Sequence, residues 1–582
     1  MKPWYQQRER ARELLSKEVG YVSKPHGGRL RVALAFPNTY FVGMSNLGFQ
    51  TVYKLFNAEA DIVCERVFLP PKTELAAQLS SGAPLVTLES QTPVNDFDVF
   101  AFSVSFEWDY TNVLTLLRLA GIQPRADART HRDPLVMIGG AVTFVNPEPL
   151  APFADVIAAG EGEALIPPLL TVFKAASDRE DLLRRLYTER GFYVPSFYDV
   201  RHNEDGTIRA FEPKPGTGAP AIVTKAALRT TEAVDPPATT IFTPDTEFGS
   251  RFLVEVVRGC ANLCRFCWAG YNYLPVRAFP KDRILQLAER ARVHSSRVGL
   301  VSIALCDHPD IEEILTRLVE MGYSISPASL RLDDLTPTIL RLLRQSGERT
   351  ITIAPETGSD RLRRVINKTI SNEEILAAAE MIFASGFENL KLYYMIALPT
   401  ETDDDLVAIR DLTVQLRDVM MRHARGRGHI GRIVGSVNPL VPKPGTAYQW
   451  LPMEDDGSVE RKIRHMRSLM ADIDNVYFNI KSERHSFYQA LLSLGDRRVA
   501  PAIEAAERNG GNWRAAVAET GVDARFFVYR DRSADAVLPW DIIDGGLKDN
   551  FFRSEFDKSL REESTLPPKR QKENARLLPV LQ

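Results

Sequence analysis

The chain has 582 residues, more than one hydrophobic core usually serves, so two or three packed domains are expected. Its 72 basic and 75 acidic residues leave a net charge of −3, which excludes a global field for nucleic acid or an anionic membrane. Five cysteines, three of them within eight positions, do not make a disulfide framework and fit a reducing compartment.

The N-terminal MKPWYQQRERARELLSKEVG is charged and lacks the apolar centre of a signal peptide. No run of about 18 apolar residues follows anywhere, so no membrane span and a cytoplasmic location are expected. RVALAFP (31–37), LVTLES, FDVFAFSVSF, PLVMIGG and DVIAAGEGE read as strands, interleaved with helices such as YTNVLTLLRLAG. Cys64, in DIVCERVF, belongs to the core of the same sheet. Glycines at strand ends describe a Rossmann-like, doubly wound α/β domain over residues 1–200 that binds a ligand at its carboxyl edge. The G-x-G-x-x-G fingerprint is missing after the first strand, where PNTYFVG is bulky, so NAD and FAD fit poorly. Residues 201–250 are rich in Pro, Thr and Gly and read as a linker.

RGCANLCRFCWAG (258–270) places Cys260, Cys264 and Cys267 in the spacing C-x3-C-x2-C, with Phe266 before the third cysteine. A zinc site needs four ligands, and no fourth cysteine or histidine lies near. Three thiolates on a tight loop can hold three irons of a [4Fe–4S] cluster and leave the fourth open. FLVEVV before the loop begins six strand-helix units, continuing with VGLVSIAL, YSISPASL, TITIAPE, LKLYYMIALP and RIVGSVNPLVP. Such alternation predicts parallel strands in a partial (β/α)6 barrel over residues 251–452, with the active site at the strand C-terminal ends. Cys306 ends the second strand, either as a small apolar residue or as a thiol facing the mouth. Residues 453–582 read as a mainly helical C-terminal region with the charged tail STLPPKRQKENARLLPV, which is expected to be mobile.

At the cysteine loop the chain resembles the radical S-adenosylmethionine (SAM) enzymes. The resemblance implies that the open iron chelates SAM, and that an electron from the cluster cleaves SAM to methionine and a 5′-deoxyadenosyl radical. It also implies SAM contacts from Phe266, from Ser329 and Arg331 ending the third strand, and from Glu356 in APETGSDRLRRVINK, the motif that also carries Lys368. YYMIALPTET resembles the family's fifth-strand turn, with Ala397 and Thr400 where two glycines are usual. CDHP (306–309) stands where the family's Gly-Gly-Glu would be. MIGGAVTFVNPEPLAPFADVIAAGEGE (137–163) resembles cobalamin-binding domains fused to such barrels. That likeness implies backbone contacts from Gly139, Gly140, Gly160 and Gly162 and hydroxyl contacts from Ser103 and Ser105. A Rossmann-like domain without its ligand remains the other reading.

A cobalamin-binding radical SAM protein implies methyl transfer to an unactivated carbon, with an electron donor such as flavodoxin or ferredoxin. Non-methylating cyclisation or rearrangement stays open. So does RNA modification like that of the methylthiotransferases, although only Cys64 is available where those enzymes carry three further cysteines. The basic stretch RHARGRGHIGR (422–432) leaves nucleic acid open without indicating it. No motif names the substrate. None of the nine histidines lies in an Asp-x-His-x-x-Gly motif. Cobalt is therefore expected to carry no protein histidine, its lower face covered by NTYFVGMSNLG (38–48).

Overall fold

The computed structural model describes residues 3–327, 330–332, 335–425, 428–547 and 550–565. Strands β1 (Leu30–Phe36), β2 (Ile62–Phe68), β3 (Val99–Ser103), β4 (Leu135–Gly139), β5 (Val156–Ala158) and β6 (Phe192–Tyr193) form one sheet. Their order is β2-β1-β3-β4-β5-β6, parallel except for β6. Helices cover both faces, so the strands are buried and, apart from Glu65 and Arg66 of β2, mainly apolar rather than alternating. The order reverses between β1 and β3, which opens a crevice at the carboxyl edge, as the Rossmann-like reading expects.

Two expectations for this half are corrected. LVTLES is not a strand of the sheet; only Val86 makes an isolated bridge, to Pro93. DIVCERVF supplies β2 instead, and Glu89 of LVTLES is spent on Arg66 of that strand, at 2.7 Å. Nor is 201–250 a free linker. Strands β7 (Tyr198–His202) and β8 (Ile208–Pro213) make a hairpin, and β9 (Val223–Thr224) pairs with residues 543–544. Ile241 and Thr243 are buried, and Thr239 N–H donates to Leu253 O at 2.8 Å. A Pro- and Thr-rich composition left the backbone groups unpaired locally, and neighbouring strands pair them instead.

The barrel begins with β10 (Phe252–Arg258), β11 (Arg277–Ala278), β12 (Arg297–Ser302) and β13 (Ser324–Pro327), in the order β11-β10-β12-β13 with β11 antiparallel. A second sheet, β14 (Thr350–Glu356), β15 (Asn389–Ile396), β16 (Ile433–Pro439) and β17 (Val476–Ile480), is parallel throughout. All six expected strands are present. The alternation does not stop at 452, however: helix Asp456–Met470 and β17 add a seventh parallel strand. Its sequence, VYFNI, is only five residues long and, as an edge strand, partly exposed, and so it escaped the pattern of longer apolar runs. On the helix side Ile351, Leu392, Tyr394 and Val437 are fully buried. On the lumen side Thr352, Lys391, Tyr393, Ser436 and Asn438 are only partly covered.

The C-terminal helices brace both halves. Asn146 Nδ2 of the first domain donates to Ser493 O at 2.9 Å and Gly495 O at 2.8 Å, and Arg125 pairs with Glu504 at 2.7 Å. Helix Phe551–Leu560 returns under the cysteine loop. There Glu555 lies 3.1 Å from Arg265, whose guanidinium also donates to Arg364 O and Val365 O at 2.9 and 3.0 Å. Among the described residues no helix is long and apolar enough to cross a membrane, and the tail after 565 lies outside them. Because Arg265 and Glu555 are almost wholly buried, Glu555→Ala strands a charge and should destabilise the fold by about 3 kcal/mol. Denaturant unfolding checks the magnitude; faster amide exchange across 259–267 checks the place.

Candidate functional site

A cavity of about 490 Å³ lies between the carboxyl edge of the first sheet and the ends of β10 and β12. Ser103, Ser105, Gly139, Gly140, Gly160 and Gly162, the positions expected to meet cobalamin, all line it. Asn46 and Gly48 of the NTYFVGMSNLG turn line it too. Asn46 caps helix Leu47–Ala58 by accepting from Phe49 N–H, and its amide donates to Ser105 Oγ at 3.2 Å. No histidine is among the lining residues.

The glycines divide by physical role. Gly140 and Gly160 have φ of +101° and +149°, and a Cβ on either would lie 2.4 Å from Val104 O or 2.1 Å from Ala226 O. Their own chain requires glycine there, so these two need no cofactor to explain them. Gly139 and Gly162 have ordinary backbone, and a Cβ on them would meet side chains at 3.7 and 3.2 Å.

Across the cavity stands a buried charge network that the sequence reading missed. Arg258, the last residue of β10, donates to Glu161 at 3.0 Å, Glu163 at 2.8 Å and Glu255 at 2.7 Å. Glu161 also receives Arg277 at 2.7 Å and Leu228 N–H at 2.9 Å. Burial alone would push the Glu161 carboxyl up; Arg277 and Arg258 outweigh it and hold it below the usual range. Glu255 goes the other way, pushed up by burial. Beside them the Lys225 ammonium is pulled down by burial to about 8 and donates to Asn272 O, with the Phe144 ring 5.5 Å away. The signal was in the text: GEGE and RGC place charges next to glycines at two strand ends that had to meet.

Two residues beyond Arg258 the cysteine loop begins. Cys260 and Cys264 are buried and Cys267 is half-buried at the start of helix Trp268–Asn272. Burial pushes the Cys260 and Cys264 thiols up to about 11 and 12 and raises Cys267. Cys260 feels the charge of Cys267 together with Arg331 and Asp307, Cys264 that of both other thiols together with Lys368 and Glu356, and Cys267 that of Glu356 and Lys368. Among the described residues no three His, Cys, Asp or Glu side chains converge on one metal ion. Thiolates that each hold a separate iron of a cluster do not need to.

The sequence-predicted barrel residues gather around these thiols. Arg331 Nη1 donates to Asp307 Oδ1 at 3.0 Å, and Lys368 Nζ to Glu356 Oε1 at 3.3 Å. Glu356 ends β14 with φ +65°, and burial raises its carboxyl against the pull of Lys368. Phe266 packs on the small apolar cluster of Leu362, Leu398 and Tyr448. Cys306 sits half-buried against the barrel core in a short turn. Ser329 lies outside the described residues.

The turn after β15 keeps a glycine conformation without its glycines. Ala397 and Thr400 both have φ of +62°. Glu401 accepts from Ala397 N–H at 2.7 Å and from Lys462 at 2.8 Å, and Arg361 donates to Thr400 O at 2.9 Å and to Thr400 Oγ1 at 3.0 Å. A β-branched residue in this region is strained. Thr400 is exposed, so Thr400→Gly should stabilise the fold by about 1 kcal/mol through relief of that strain. A rise in the denaturation midpoint checks it.

Comparison with known proteins follows these features. A family model described as "Radical SAM proteins, N-terminal" matches residues 48–195, and that of the "Radical SAM superfamily" matches 254–413. An uncharacterized protein of Methanocaldococcus jannaschii is 28% identical over 479 residues, 81% of this chain and 90% of that protein. The heme chaperone HemW of Bacillus subtilis is 24% identical over 166 residues, 25% of this chain and 41% of its own length. Among solved structures, the radical SAM methyltransferase TsrM of Kitasatospora setae, with cobalamin and a [4Fe–4S] cluster bound, is 12% identical. That match covers 85% of this chain and 99% of TsrM, with a TM-score of 0.49. The cobalamin-dependent radical SAM enzyme OxsB with aqua-cobalamin bound is 14% identical at a TM-score of 0.44. Here the match covers 66% of this chain and about half of OxsB, 52%. The two matched models meet at the cavity just described, one on each side of it, and this chain belongs to the radical SAM superfamily.

Proposed function

We propose that this protein is a cobalamin-dependent radical SAM enzyme that methylates an unactivated carbon. The observation that supports the reading most is the shared cavity, where a glycine-edged Rossmann-like sheet faces the strand that carries the cysteine loop. In this reading Cys260, Cys264 and Cys267 hold a [4Fe–4S] cluster, and Phe266, Ser329, Arg331 and Glu356 border SAM. When bound, the cluster supplies the electron that splits SAM to a 5′-deoxyadenosyl radical, and cobalamin supplies the methyl group.

The chain's own share is to bind, orient and exclude water. Ala101 and Ala158 on the sheet and Thr51, Val52 and Leu169 on the helices bound an apolar slot in the cavity. Ser103 and Ser105 offer hydroxyls in its lining, and a cobalamin seated there would find no histidine in the lining to bind its cobalt. Arg331 and Lys368, both near the thiols, complement the carboxylate of SAM, and Glu356 its ammonium group. The thiols, none of them in a disulfide and largely buried, suit a reducing cytoplasm in which a flavodoxin or ferredoxin supplies the electron.

Three outcomes are expected. Cys260→Ala, Cys264→Ala and Cys267→Ala each abolish the brown cluster absorbance and SAM cleavage, whereas Cys306→Ala keeps its iron; full iron in any of the first three overturns the ligand set. Glu356→Ala weakens SAM binding by calorimetry with iron retained. Ala101→Leu, which fills the slot, prevents cobalamin uptake while iron content stays that of the wild type. Electron paramagnetic resonance of the protein loaded with cob(II)alamin should show no nitrogen splitting from a histidine. Accurate-mass analysis of extracts with and without the gene separates methylation from cyclisation or rearrangement.

A further inference from the structure

The second half-barrel has a cavity of about 640 Å³ beside its edge strand β17, apart from the cavity between the domains. Strand alternation and register name its inner wall. Tyr393, Ser436 and Asn479 stand abreast on β15, β16 and β17, and Asn438 lies next along β16. These side chains are polar and partly or fully exposed, where parallel barrels ordinarily fill the lumen with branched apolar residues. A lumen left polar and open is shaped for a ligand rather than for stability.

Its charge has one sign. Arg467 and Lys481 line the opening, and no carboxylate does. Lys391, two residues before Tyr393 on β15, holds its ammonium 5.1 Å from the Tyr393 ring. Among the described residues none of these three cations is in a salt bridge. Carboxylates elsewhere in the barrel are already matched: Glu255 within β10 to Arg258, Asp307 in the turn after β12 to Arg331, and Glu356 at the end of β14 to Lys368. A ligand that balances the remaining cations must bring its own negative charge.

We propose that this opening admits and holds an anionic substrate. Its carboxylate or phosphate meets Arg467 and Lys481, and its hydrogen-bonding body lies along Ser436, Asn438 and Asn479. The guanidinium of Arg467 can take either anion by two parallel N–H bonds, and Lys481 adds a point charge. This names the substrate class for the radical chemistry above and rests on that reading.

The probes are inorganic phosphate and malonate, titrated calorimetrically into the full-length protein at low ionic strength, with chloride at matched ionic strength as control. Saturable binding of phosphate, malonate or both is expected, and the preferred anion identifies the substrate as a phosphate or a carboxylate. Arg467→Gln with Lys481→Gln should weaken that binding about tenfold or more, and Lys481→Arg should restore most of it in the single-site background. Both residues are exposed, and unchanged iron content reports an intact fold. No binding above the chloride control, or binding untouched by the double variant, overturns the proposal. The titration needs neither cluster nor SAM, so its failure leaves the radical reading standing; absence of SAM cleavage by the wild type overturns that reading whatever the anions do.

Discussion

The meeting of Arg258 with Glu161 and Glu163 is the interaction on which the rest of the structure depends. Arg258 closes the strand that opens into the cysteine loop, and the two glutamates begin the helix after the last parallel strand of the first domain. Five charged groups, Arg277 and Glu255 included, are largely buried there, and taking such charges out of water is favourable only with near-complete pairing. Complete pairing needs both domains in one relative position. The network therefore fixes where the carboxyl edge of one sheet stands against the strand ends of the other, and with it the cavity.

Around that fixed point the fold leaves some positions strained and others unfilled. Glu356, Ala397 and Thr400 occupy the left-handed region at the ends of β14 and β15. Each is held there by neighbours: Lys368 on Glu356, Glu401 on the Ala397 amide, Arg361 on Thr400. Strain of this kind persists only where surrounding contacts over-determine the backbone. The lumen shows the complementary feature, since Tyr393, Ser436 and Asn438 line a space that branched side chains would otherwise fill.

The C-terminal helices tie these parts together. One group packs on the first domain through Asn146, Arg125 and the apolar faces of Leu491 and Ile503. The last described helix reaches under the cysteine loop, where Glu555 and two backbone carbonyls satisfy Arg265. The loop that carries the three cysteines is thereby held from below, at the end of β10.

The sequence by itself determined the local and periodic features: six of the seven parallel barrel strands, the glycine-edged first sheet, and the cysteine spacing that names the superfamily. These follow from alternation, strand-end glycines and fixed spacing, all properties of neighbouring residues. It misread LVTLES and 201–250, whose backbone groups are paired by segments distant in sequence, and it lost β17, which is short and partly exposed at an edge. Only the tertiary structure decided that Gly140 and Gly160 serve their own chain, that the GEGE glutamates clasp Arg258, and that Arg467 and Lys481 flank one opening without a carboxylate. Such facts depend on which strand ends face each other across the cavity, and facing is set by burial and charge pairing between residues about a hundred positions apart, as Glu161 and Arg258 are.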